Sequence, residues 1–252
     1  MSSPLFHIEG LTKGFGTMAV LKGVDLDVNT GESIVIIGQS GCGKSVLLKH
    51  LIRLLDPDDG QVLFHGHDVS ELRPRDLVAM RQQVGMLFQS AALFDSLTVG
   101  ENVGLGLKET GRYRRSEIRD IVEEKLKLVG LSRAVDKYPS ELSGGMRKRA
   151  GLARAIATDP EVLLYDEPTT GLDPITSDMI NDLIVELNSR LNVTSVAVTH
   201  DMTSAYKIAD RIVMLYQGRV YYDGSPDETR STDDAVVRQF ISGSAAGPIE
   251  VL

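Results

Sequence analysis

One cysteine, no tryptophan and 5% aromatic residues leave this 252-residue chain few of the special means of holding a fold together. Cys42 has no partner for an internal disulfide, so stability must come from a packed core, and a lone thiol suits a reducing compartment. No apolar run approaches the roughly 18 residues that a bilayer span requires, and Met1-Ser2-Ser3-Pro4 lacks the charged and apolar regions of a signal peptide. A membrane role is therefore expected to come through a partner. With 27 basic against 35 acidic residues and a net charge of −8, neither a broad basic surface nor nucleic acid as a partner is expected, which leaves room for local basic clusters. Internal repeats are lacking, and the only compositionally biased stretch is the Ser-Gly-Ala-rich tail. What the chain does have is a 42% hydrophobic content, enough for one large α/β domain with a smaller lobe.

The most informative stretch is Gly38-Gln39-Ser40-Gly41-Cys42-Gly43-Lys44-Ser45, which follows the apolar run Ile34–Ile37 and precedes the helix-like Val46 to Ile52. A strand, a glycine-rich turn and a helix start come in that order. The glycines let successive backbone N–H groups face one anion, and the helix adds its positive end. Lys44 is placed to reach the β- and γ-phosphates of a nucleotide, and the Ser45 hydroxyl to coordinate Mg²⁺. Cys42 reads either as a small loop residue or as a thiol whose alkylation would obstruct the nucleotide.

Leu5 to Val28 alternates as short strands punctuated by Gly10, Gly14 and Gly16, and reads as an antiparallel sheet. Phe15, held among glycines, is either a core plug or a ring that stacks on a base. Val84 to Phe88 is a core strand ending in Gln89, where a neutral amide could sense Mg²⁺ or position water, or simply decorate the surface. Residues 93–157 turn helical, with segments at Val99–Leu107 and Ser116–Val129; the Arg112–Arg115 cluster, with Tyr113, reads as a solvated loop or as a contact for lipid headgroups or a partner. Ser143-Gly144-Gly145 then caps a second helix suited to an anion, and two anion-binding ends in one chain suggest two copies arranged head to tail. The apolar Glu161 to Tyr165 ends in Asp166 and Glu167: Asp166 to hold Mg²⁺ with Ser45, Glu167 to polarise an attacking water. Asp173-Pro174 starts a helix whose stripe of Ile175, Met179, Ile180, Leu183, Ile184, Leu187 and Leu191 reads as core. Val193 to Thr199 is a buried strand delivering His200, which could hydrogen-bond a γ-phosphate. A hairpin over Arg211–Tyr222 turns at Gln217-Gly218, and Ala235–Ile241 is a short helix.

These motifs, in this order and spacing, resemble the ATP-binding-cassette ATPases over nearly the whole chain. The resemblance implies an α/β fold: a P-loop core with an N-terminal antiparallel β subdomain (1–88 and 158–232), an inserted α-helical subdomain (89–157) and a tail (233–252). It implies ATP and Mg²⁺ as cofactors, Phe15 against adenine, Glu167 as general base, and Ser143 and Gly145 completing the site of the opposite subunit of a homodimer. Val46 replaces the usual Thr and Met146 the usual Gln. Lys44–His50, Phe88–Val99 and Ser143–Ala150 resemble the branch serving maintenance-of-lipid-asymmetry phospholipid transport. The implied partners are a membrane permease, a small cytoplasmic regulatory subunit and a periplasmic lipid-binding subunit, at the cytoplasmic face of a bacterial inner membrane. Other readings are a cassette serving polar amino acids or a similar solute, and a cassette acting on nucleic acid or ribosomes.

Overall fold

The alternation from Leu5 to Val28 closes as two long antiparallel strands, β1 (Phe6–Phe15) and β2 (Met18–Val28), in register from Phe6 opposite Val28. The computed structural model describes residues 3–250. Gly10 and Gly14 do not interrupt β1 as punctuation would. They sit where the pairing with β2 slips, between Ile8 and Leu11 and between Lys13 and Gly14, so the strand bends and continues. On the other edge β1 pairs with β4 (Asp59–Phe64), which turns into the two-residue β5 (His67–Asp68). Phe6, Ile8, Leu26, Val28, Val62 and Phe64 put this sheet's inner face into the core, where the Phe6 and Phe64 rings lie 4.8 Å apart.

The chain divides into two units, Met1–Pro74 with Val196–Leu252, and Arg75–Ser195. Besides the β1–β2–β4 sheet, the first holds β3 (Ser33–Ile37) followed by α1 (Lys44–Leu51). Ile34–Ile37 are all buried, as a continuous apolar run in a parallel sheet should be. β3 pairs in parallel with β9 (Arg211–Tyr216), Ile34 opposite Arg211 and Ile37 opposite Met214. β9 turns through Gln217 (φ 50°) and Gly218 (φ 80°) into β10 (Arg219–Gly224), the turn geometry that suits a two-residue hairpin. Short helices α7 (Met202–Ile208), α8 (Pro226–Ser231) and α9 (Ala235–Ser242) complete the unit. The tail does not trail away as its composition suggests. The Gln239 side chain donates to the Ile249 carbonyl at 3.2 Å and accepts its N–H at 2.6 Å, and the Ile249 side chain is buried.

The second unit contains α2 (Pro74–Gln82) from Arg75 onward, β6 (Val84–Leu87) and the helices α3 (Val99–Thr110), α4 (Arg115–Leu128) and α5 (Gly144–Ala155). After them come β7 (Val162–Asp166) and α6 (Pro174–Leu191). Thr98 and Glu101 form a capping box at the start of α3, each satisfying the other's backbone N–H. β6 and β7 pair in parallel, Val84 opposite Val162 and Leu87 opposite Tyr165. β8 (Thr194–Val198) is buried throughout and spans the boundary between the units in sequence. The expected core stripe of α6 holds from Ile180 to Leu187, but Leu191 is half-buried and Ile175 and Met179 are 77% and 50% exposed. Periodicity identifies one face of a helix without showing how far along it the core reaches. No helix among the described residues is long and apolar enough to cross a membrane.

Candidate functional site

The first unit shapes the glycine-rich loop between β3 and α1. Gly38 (φ 151°) packs against the carbonyl of Leu215 on β9, and a Cβ there would also lie 2.8 Å from Cys42 Sγ. Gly43, the N-cap of α1, is left-handed (φ 108°), and a Cβ on it would meet Leu21 Cδ2 at 2.8 Å. Only glycine fits both places. No side chain caps α1, so the helix end is not given over to an internal acceptor and suits an external anion. Lys44, 6% exposed, folds back over the loop and donates to the carbonyls of Gly38 (2.7 Å) and Gln39 (3.0 Å). Ser40 and Gly41 are exposed, and Gln39, Cys42, Ser45 and Val46 are half-buried. The loop therefore presents backbone and small polar groups, the donor set that a nucleotide's phosphates require.

Two other expected residues belong to this unit. Thr199 donates its backbone N–H to Ile36 of β3 at 3.1 Å, so His200 leaves the sheet at the same strand end as the phosphate loop. Asp201 fixes the turn, accepting from the backbone N–H of Thr203 and Ser204 and from the Ser204 hydroxyl at 2.6 Å, and His200 stands exposed on it. Phe15 is 48% exposed at the end of β1, which removes the core-plug reading; Lys13 Nζ lies 5.8 Å from its ring centroid.

The second unit gathers Gln89, Asp166 and Glu167. The parallel register that sets Leu87 against Tyr165 brings the exits of β6 and β7 side by side. Asp166 and Glu167 are 5% and 8% exposed, and Glu167 has a left-handed backbone (φ 47°), a conformation costing about 1 kcal/mol for a residue with a side chain. Thr170 secures it: its hydroxyl donates to Glu167 Oε2 at 3.1 Å, and its N–H to the Glu167 carbonyl at 3.3 Å.

Sequence reasoning missed what holds these loops. Lys148 of α5, 5% exposed, donates to the Gln89 carbonyl at 2.6 Å and to the Glu167 carbonyl at 3.0 Å. Burial pushes its ammonium down to about 8, although the negative charges of Asp166 and Glu167 pull the other way. Arg154 forks onto the carbonyls of Ala91 (2.6 Å) and Ala92 (2.5 Å), two consecutive left-handed alanines at φ 61° and 48°. Fully buried Asn102 accepts the Phe94 N–H at 2.7 Å and donates to the carbonyls of Phe94, Leu97 and Thr98. The segment after β6 is thus clamped by side chains from α5 and α3.

Ser143 caps α5 as expected, its exposed side chain accepting the Met146 N–H at 3.3 Å. Gly144 and Gly145 allow this end to press on the start of α6: a Cβ on Gly144 would stand 3.1 Å from Leu172 Cδ2, and one on Gly145 2.6 Å from Thr176 Cγ2. Asp173 braces that contact from the other side by capping α6 through the N–H groups of Ile175 and Thr176 and accepting the Thr176 hydroxyl at 2.6 Å.

Residues 21–170 match the family model described as ABC transporter. Over 243 residues the chain is 44% identical to the Mkl protein of Mycobacterium leprae, named for ribonucleotide transport, covering 96% of this chain and 70% of that one. It is 40% identical over 249 residues to the intermembrane phospholipid transport ATP-binding protein MlaF of Haemophilus influenzae, covering 99% and 94%. Among solved structures, a dimeric ATP-binding cassette in a post-hydrolysis state bound to ADP and Pi superposes with a TM-score of 0.80 at 34% identity, over 88% of this chain and 98% of that one. The chain therefore belongs to the ABC transporter family, as an ATP-binding subunit.

Proposed function

We propose that this ATPase drives phospholipid movement between membranes, working as a homodimer that closes over two ATP molecules and reopens after hydrolysis. The observation that carries the phospholipid reading is the likeness to MlaF, which runs through nearly the full length of both chains. The head-to-tail dimer is supported by the exposed helix end at Ser143. It is a second anion-binding terminus on a helix other than the one that carries the phosphate loop.

In this reading Phe15 stacks on adenine, and Gly38 to Val46 cradle the phosphates, with Lys44 swinging from its own loop carbonyls to the β- and γ-oxygens. Ser45, Asp166 and Gln89 hold Mg²⁺, which neutralises charge on those oxygens when bound. Glu167, buried and steadied by Thr170, takes the proton of the attacking water. His200 donates to the γ-phosphate. Ser143 and Gly145 of the partner subunit close the site. Partners of this assembly are a membrane permease, a small cytoplasmic regulatory subunit and a periplasmic lipid-binding subunit, which places the chain at the cytoplasmic face of the inner membrane.

Replacing Glu167 by Gln keeps the side chain's size and removes its basicity. The variant should bind ATP normally, lose about 100-fold or more in turnover and accumulate as a closed dimer with ATP. Near-normal turnover would end the assignment of the base. Purifying the chain with its partners from detergent-solubilised membranes tests the cargo. Copurified phospholipid supports the reading, whereas a bound ribonucleotide in its place would support the function for which Mkl is named.

A further inference from the structure

The basic side chains of α5 are engaged on backbone carbonyls. Arg147 donates to Leu142 at 2.8 Å, Arg149 to Val129 at 3.1 Å and Arg154 to Ala91 and Ala92. Lys148 differs from the others because its two acceptors belong to two candidate site residues on different strand exits, Gln89 after β6 and Glu167 after β7. The helix carrying Lys148 begins at Ser143, about one and a half turns earlier, or about 7.5 Å along the axis. Gly145 packs closely on Thr176 at the start of α6.

We propose that Lys148 is a positioning residue for ATP hydrolysis, fixing the backbones of Gln89 and Glu167 to the helix that begins at Ser143. This rests on the reading above, in which Glu167 is the base and Ser143 touches the nucleotide of the opposite site. A rigid helix gripping both strand exits moves them as one piece, so engagement of Ser143 across the dimer reaches Glu167 of its own subunit. Together with the Thr170 N–H, which bonds the same carbonyl, the grip helps to hold Glu167 in its left-handed backbone. A lysine suits the place because one nitrogen carries several rotatable donors and can serve two carbonyls at once. Partial neutralisation by burial leaves this intact, since a neutral amine still has two N–H groups.

The test uses the full chain with Lys148→Met, which keeps the length and loses both donors, and Lys148→Arg, which restores them. ADP affinity, KM and kcat for Mg-ATP and the thermal midpoint are measured together. For Lys148→Met, kcat should fall about 10- to 100-fold, as misplacement of a catalytic group by about 1 Å does. ADP affinity and KM should stay within about threefold, because the phosphate loop lies in the other unit. Lys148→Arg should recover kcat to within about fivefold of the parent. A kcat within about twofold of the parent in the folded Met variant overturns the proposal, as does an Arg variant no faster than the Met variant. Should the Met variant fail to fold, Lys148→Leu, which also lacks both donors, takes its place with the same criteria. Glu167→Gln run alongside separates the two readings. Full turnover there removes the base assignment, whereas loss of turnover there with parental kcat in Lys148→Met removes only the positioning role.

Discussion

Gly145 offers the most direct check on why the Ser143 loop needs glycine. Adding a methyl group by Gly145→Ala would place a Cβ 2.6 Å from Thr176 Cγ2, well inside the separation of about 3.5–4.0 Å at which carbon atoms attract. Overpacking of this kind costs about 1–3 kcal/mol, and the gain in helix propensity on replacing glycine returns at most about 1 kcal/mol. The net loss of up to about 2 kcal/mol should lower the melting temperature by up to about 8 °C in a chain of this size. Thr176→Ser removes the offending methyl group and keeps the hydroxyl that bonds Asp173 at 2.6 Å. In the Thr176→Ser background, Gly145→Ala should therefore be neutral or stabilising. A double-mutant cycle by thermal and denaturant unfolding should return a coupling of about 1–2 kcal/mol. A coupling below about 0.5 kcal/mol, the scatter of independent sites, would refute the close-approach reasoning. Activity is a separate readout: if Gly145 also contacts nucleotide, turnover stays low in the double variant even after stability returns.

Asn102→Leu fills the same space but strips the Phe94 N–H and the Leu97 carbonyl of their buried partner, at a cost of about 3 kcal/mol. Hydrogen exchange at Phe94 should accelerate most, and unchanged exchange there would show that the clamp is dispensable. His50 is buried with Nδ1 2.7 Å from the Val46 carbonyl and no partner at Nε2 among the described residues; burial holds its pKa below 6.5, with Lys13 adding to the effect. The unfolded chain therefore binds the proton that the folded one refuses, and stability falls as pH drops below about 6.5. Between pH 7.5 and 5 the parent should lose more stability than His50→Met, and equal losses would contradict this. Alkylation of Cys42, whose Sγ lies beside Gly38, should abolish ATP turnover and be prevented by prior Mg-ATP, with full activity of the alkylated chain as the refuting result.

The parts of the site that were legible in the sequence are those whose chemistry is local. The Gly38–Ser45 loop, the Ser143 and Asp173 caps and the carboxylates after Tyr165 each declare themselves within a few residues. The clamps were not legible, because the acceptors of Lys148 and Arg154 are carbonyls 59 to 63 residues earlier in the chain or, at Glu167, 19 residues later, and a carbonyl has no sequence signature. Neither the left-handed backbone of Glu167 nor the consecutive pair at Ala91 and Ala92 follows from residue type, since alanine and glutamate rarely adopt it. Ser225-Pro226-Asp227-Glu228 is a capping box with proline at the first turn, a start signal for α8 in the sequence, but a helix of six residues carries too short an apolar period to confirm it. Ile175 and Met179 show the opposite failure, where a correct period extended a buried face into solvent.

The paired bonds between Gln239 and Ile249 bear on how the protein should be handled at the bench. Shortening the chain anywhere from Gly243 to Pro248 would not trim a loose end. It would take away the isoleucine and leave the buried Gln239 amide with both of those bonds unmade, at a cost of about 1–3 kcal/mol for each orphaned group. An affinity tag or a fluorophore is therefore better joined beyond Ile249 through a flexible spacer than grafted in place of the Ser-Gly-Ala stretch.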